Sequence, residues 1–144
     1  MGTSSWLATT LDIEMLNANA QIWPPNIGDA QMPNRQGAKV AGELGNRFLV
    51  RYLRATQLNE FRRGSIGRKH WVTPTAYEPD ETIPWLALSP TLLAPSYALL
   101  LDPNKIPIIK GPRYVRMGAG IEYVLPNGFP ANAIAGLPWE VNVR

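Results

Sequence analysis

Glycine and proline fill 26 of the 144 positions, and this share limits the chain more than any motif does. It is above the average of globular chains and below that of low-complexity ones. A chain punctuated so often builds short strands and short helices joined by ordered turns. At 144 residues it has the length of one domain and enough apolar sequence to bury a core without disulfides or a structural metal.

Composition then removes several chemistries. There is no cysteine, which excludes disulfide scaffolds, thiol catalysis and cysteine-ligated zinc. There is one histidine, His70, so a multi-histidine metal centre is excluded, and no metal is expected. No Gly-x-Ser-x-Gly elbow is present to support a serine triad. No apolar run approaches the ~20 residues of a membrane helix, and the N-terminus lacks the basic and apolar regions of a secretory signal. The net charge of +3 weakly favours anionic partners.

Residues 1–46 are expected to form an N-terminal helix, near Trp6–Leu16, followed by an ordered extended segment or a loop over 23–46 that Trp23 and Pro24-Pro25 pin to the body. Residues 47–144 are expected to form the core. Its clearest strands are "RFLVRYL" (47–53), "KHWVTPT" (69–75), "SYALLLDP" (96–103) and "IEYVLP" (121–126). "IPIIKGPRYVRMG" reads as one or two short strands broken at Gly111-Pro112. Short helices are expected over 55–64, with Thr56 as N-cap and Gly64 as stop, and near Pro84. "FPANAIAGLPWEVNVR" closes the chain with a turn of helix and an extended tail. With no repeat and no long linker, the expected class is one α+β domain dominated by β.

Four features bear on chemistry. Alternation along 47–53 puts Arg51 on the face of Leu49 and Leu53, where a guanidinium in an apolar cleft binds phosphate well; the plain alternative is an outward-facing strand residue. Arg47, Arg51, Arg54, Arg62, Arg63, Arg68 and Lys69 are seven of the fourteen basic residues, which suits either a solvated surface or a phosphate-rich ligand. In "HWVTPT", His70 and Val72 alternate with Trp71, Thr73 and Thr75, so Trp71 and Thr73 are either an anchor and edge residues or a wall that stacks on a ring and bonds a ribose. Glu122 shares a face with Val124, opposite Ile121, Tyr123 and Leu125. It is either a solvent-facing carboxylate or one placed to stabilise a cation-like sugar transition state.

In order along the chain, these features resemble the ADP-ribosyltransferase superfamily of bacterial toxins. "VRYLRATQLNEFRRGSI" resembles its first strand and helix, where "YR-x-(D/S)…F-x-x-G(F/I)" is common, and places Arg51 on the arginine that holds the NAD+ phosphates. "WVTPT" resembles the second-strand motif, with Thr73 at its Ser/Thr. "GAGIEYVLP" resembles the late-strand motif, with Glu122 at the catalytic glutamate. "WPPNIG" together with "GAGIEYVLP" is also similar to the NAD-glycohydrolase branch, whose pattern is "WPPN-x-G" and "PGGG-(I/T)-Q-Y-x-x-P". That branch carries glutamine where this chain has Glu122, so hydrolysis and transfer both stay open. Gly120 stands where arginine-modifying transferases carry a second acid, which argues against an arginine acceptor.

The resemblance implies a compact split-sheet core and a delivered toxin domain that cleaves the nicotinamide–ribose bond of NAD+ in a target cell's cytoplasm. Glu122 and Arg51 would be catalytic. Arg51, His70, Trp71, Thr73 and Tyr77 would hold NAD+. A cognate immunity protein, and a macromolecular acceptor of ADP-ribose, are the implied partners. Two rivals stand beside it: a metal-independent ribonuclease using His70 and Glu122 as acid and base, and a non-catalytic binding or structural module.

Overall fold

The computed structural model describes residues 28–74, 97–115 and 120–140. The expected helices at Trp6–Leu16 and near Pro84, the Trp23–Pro25 anchor and Tyr77 lie outside these residues. The described part is β-dominated α+β. Nine short strands run in the order β1 (Arg35–Gln36), β2 (Leu49–Leu53), β3 (Ser65–Ile66), β4 (His70–Val72), β5 (Tyr97–Leu101), β6 (Ile108–Tyr114), β7 (Ile121–Leu125), β8 (Gly128–Phe129) and β9 (Trp139–Glu140). Two helices, α1 (Gly37–Glu43) and α2 (Ala55–Phe61), flank β2 in sequence. Among the described residues no helix is long and apolar enough to cross a membrane.

The strands form a four-stranded sheet, β1-β6-β7-β4, a three-stranded sheet, β2-β5-β9, and the pair β3-β8, all antiparallel. One bridge, Val50 to Thr73, joins the two larger sheets; Val50 N donates to Thr73 O at 2.7 Å and Thr73 N to Val50 O at 3.0 Å. Leu49 and Leu53 of β2, Leu99 and Leu101 of β5, and Ile121, Tyr123 and Leu125 of β7 meet Phe61, Val72 and Phe129 in one buried cluster. β2 buries its other face too, through Val50 and Tyr52.

Three local expectations are corrected. Residues 37–43 are helical, not extended: Val40, Ala41 and Leu44 supply a buried stripe that the two glycines of "GAKVAGE" dilute in the sequence. Gly37 opens this helix because a Cβ there would lie 1.8 Å from the carbonyl oxygen of Ile106. Helix α2 is capped at Arg54, whose N–H donates to Gln57 Oε1 at 3.1 Å, so Thr56 sits inside the first turn rather than at the cap. Strand β6 runs through Gly111-Pro112 instead of breaking there, because the ladder absorbs the dipeptide as a register shift between Lys110 and Arg113.

Gly128 occupies a left-handed, closely packed position after the Pro126-Asn127 turn. Its φ is 75°, and a Cβ would lie 1.7 Å from Ser65 O and 2.8 Å from Arg68 O. Replacing Gly128 by alanine is expected to cost about 3 kcal/mol or more in urea unfolding, through left-handed strain and displaced backbone. An unchanged midpoint would contradict this packing.

Candidate functional site

The predicted site residues divide between two faces. Val50 and Thr73 oppose each other across the bridge, so their side chains share a side. Arg51 therefore faces the other way, with His70. On β7 the register pairs Trp71 with Val124 and His70 with Leu125. Glu122, Val124, Trp71 and Thr73 share one face, and His70 lies on the reverse, core-facing side. The structure places Glu122 on one sheet face with Thr73 and Trp71, brings Arg51 into hydrogen-bond contact with His70, and puts the two groups on opposite sides.

Glu122 is neither solvated nor facing open space. It is only 7% exposed, and its Oε1 accepts a hydrogen bond from Nε of Arg113 at 2.8 Å. The two residues are direct cross-strand partners in β6 and β7. Arg113 is itself buried and forms a second ion pair with Asp29. Asp29 also accepts from Lys69 Nζ at 2.9 Å through Oδ2, and from Lys110 Nζ at 3.0 Å through its carbonyl. Burial pushes the Glu122 carboxyl above its usual range; the Arg113 hydrogen bond and charge oppose this without cancelling it. Burial acts on Asp29 in the same direction and is the largest single influence, but the hydrogen bonds and charges of Lys69 and Arg113 together outweigh it and hold Asp29 below the usual carboxylate range. Trp71 stands 46% exposed at the edge of this face, with Lys69 Nζ 5.6 Å from its ring centroid.

On the reverse face, Nε of Arg51 donates to Nδ1 of His70 at 3.3 Å, and Nη1 donates to the carbonyl of Tyr52 at 3.1 Å. Arg51 forms no ion pair among the described residues. Burial, followed by the charges of Arg68 and Arg54, lowers its pKa. His70 is 1% exposed, lies edge-on to Phe61 at 4.7 Å and tilted against Phe129 at 5.0 Å, and has Nε2 2.9 Å from Ser65 Oγ. Because guanidinium can only donate, Nδ1 must be the acceptor and the neutral ring carries its proton on Nε2, directed at Ser65. That tautomer does not take a proton from Ser65, so the pair is not an activated nucleophile.

Burial, then Arg51 and Arg68, lowers the His70 pKa from 6.5 to about 4. The unfolded chain therefore binds a proton that the folded chain refuses between those values, and stability is lost as pH falls from 6.5 toward 4. Over that window His70 is expected to contribute about 3 kcal/mol. Urea midpoints at pH 7 and pH 4.5 should fall together less steeply in His70→Gln than in the unsubstituted chain. Equal slopes would contradict a buried neutral histidine.

The basic cluster of the sequence is not one patch. Lys69 joins Asp29, Arg68 pairs with Glu60 and lies over Phe61 at 5.0 Å, and Arg62 and Arg63 are exposed after α2. Sequence reasoning missed Arg113, Asp29, Lys110 and Ser65. For Arg113 the signal was present in its alternation toward Glu122 across the β6–β7 pair, but the Gly-Pro dipeptide concealed the strand. For Asp29 there was none. No group of three or more potential metal ligands occurs among the described residues. No family model matches the chain, and neither a curated protein nor a solved structure matches it.

Proposed function

We propose that the face bearing Glu122 cleaves the nicotinamide–ribose bond of NAD+, delivering ADP-ribose to water or to a macromolecular acceptor. The observation that carries this reading is a buried carboxylate fixed by Arg113 on the face that also holds Thr73 and half-exposed Trp71. As nicotinamide leaves, positive charge develops on the ribose. A carboxylate already desolvated and oriented stabilises that charge more than it stabilises the ground state. Half-exposed Trp71 offers a ring to stack on, and Thr73 lies buried on the same face. The split arrangement of β6-β7-β4 and β2-β5-β9 about one bridge supports the split-sheet core that the sequence motifs imply. Delivery as a toxin domain and inhibition by an immunity protein rest on those motifs alone.

Arg51 reaches the same ligand only if the ligand spans the seam between β2 and β4. Incubation with NAD+, followed by mass analysis with and without cell lysate, tests the reading and separates hydrolysis from transfer. Release of nicotinamide that disappears in both Glu122→Ala and Arg51→Ala would join the two faces in one cleft. Loss in Glu122→Ala alone would leave Arg51 as the partner of His70. Absence of release in every condition would sink the reading.

RNA cleavage is a second reading, favoured by the Arg51 guanidinium, which has no carboxylate partner among the described residues and lies beside Arg54 and Arg68. It requires His70 to exchange protons, against its buried neutral state. RNA cleavage abolished by His70→Gln and retained in Glu122→Gln would support it.

A further inference from the structure

Asp29 fills the point where three cations converge. Its two carboxylate oxygens meet Arg113 and Lys69, and its carbonyl oxygen meets Lys110. Lys110 and Arg113 oppose Val124 and Glu122 across the β6–β7 ladder, so all three cations belong to the Glu122 face or its edge. Asp29 arrives from far away in sequence, 40 residues from Lys69 and 81 from Lys110. It sits in a three-residue 3-10 turn, Asp29–Gln31. Several anionic oxygens presented to one arginine and two lysines is the arrangement a phosphoryl group makes with its protein partners. The charges point the same way. Among the described residues, the three cations stand beside two carboxylates, those of Asp29 and Glu122. Lys69, with its side chain 44% exposed, leaves this cluster open to solvent beside Trp71.

We propose that Lys69, Lys110 and Arg113 form an anion subsite on the Glu122 face, suited to a diphosphate, and that Asp29 is its built-in occupant, displaced when the ligand binds. The identity of the ligand as a nucleotide diphosphate rests on the function proposed above; the anion subsite does not. An occupant present about nine-tenths of the time weakens apparent affinity about tenfold, because ligand binds only the vacated state. The device thus sets a threshold for ligand without touching the reacting atoms.

Calorimetric titration with inorganic pyrophosphate and with ADP tests this. Asp29→Asn keeps the shape and removes the charge, and Asp29→Ala removes both. Each is expected to bind pyrophosphate about tenfold more tightly than the unsubstituted chain. Adding Lys69→Ala and Lys110→Ala to Asp29→Asn should abolish the gain. A folded Asp29→Asn that binds no more tightly would overturn the proposal, as would affinity indifferent to the two lysines. The two readings fail separately. Tight pyrophosphate binding by Asp29→Asn without nicotinamide release from NAD+ would keep the subsite and sink NAD+ cleavage. Nicotinamide release whose KM for NAD+ ignores Asp29→Asn and Lys69→Ala would do the reverse.

Discussion

Replacing Arg113 by alanine is expected to lower the unfolding free energy by about 3–5 kcal/mol, because it strands two carboxylates at once. Glu122 loses the donor that accompanies it into the interior, and Asp29 loses one of its two side-chain partners. For a domain of this size such a loss moves the thermal midpoint by roughly 10 °C. Lysine at position 113 should recover only part of it. One ammonium cannot reproduce the fork that sends Nε to Glu122 and Nη2 to Asp29. The mechanism also predicts a rescue. In an Arg113→Met background, adding Glu122→Gln should restore stability, since it removes the orphaned charge. Urea unfolding of the four chains at pH 7 measures this. An additive cycle, with no rescue, would show that the pair is not coupled.

Glu122→Gln alone is expected to leave the fold intact and lower kcat for nicotinamide release by about 10²–10³-fold. Glutamine keeps an oxygen that accepts from Arg113 Nε and fills the same volume. It loses the charge that answers the developing ribose cation. Stability should react in the opposite sense to activity. Because burial raises the Glu122 pKa, the folded chain binds this proton more readily than the unfolded one. The carboxylate thus costs stability as pH rises above 4.5 and through the folded pKa, and nothing below that range. Glu122→Gln should remove this component, while under the proposed function nicotinamide release by the unsubstituted chain is expected to rise with pH as Glu122 ionises. A variant that keeps full activity, or one that unfolds, would contradict the role given to the carboxylate.

How much of this was legible in the sequence depended on how local the signal was. β2, β5 and β7 announce themselves because "LVRYL", "YALLL" and "IEYVL" are dense in strand-forming residues with turn residues close by. Helix α1 is hidden, since its buried stripe is only Val40, Ala41 and Leu44, interrupted by Gly42. Glu122 stands out as a lone charge in an apolar strand, yet its partner did not, because Gly111-Pro112 breaks the pattern that carries Arg113 into register. The division of Arg51 and Glu122 between faces was not legible at all. Alternation gives relative faces within one strand, and only the Val50–Thr73 bridge relates β2 to β4. Asp29 joins the site through tertiary packing alone, so no window of sequence contains the evidence for it.

NAD+ cleavage at Glu122 is the claim to test first. The decisive measurement is free nicotinamide released from NAD+ by the purified chain, beside Glu122→Gln and His70→Gln. The expected result is release that Glu122→Gln lowers by about two orders of magnitude or more and that His70→Gln, at pH 7, leaves largely in place. No release from the unsubstituted chain, or release lost with His70 and kept without the Glu122 charge, would contradict it.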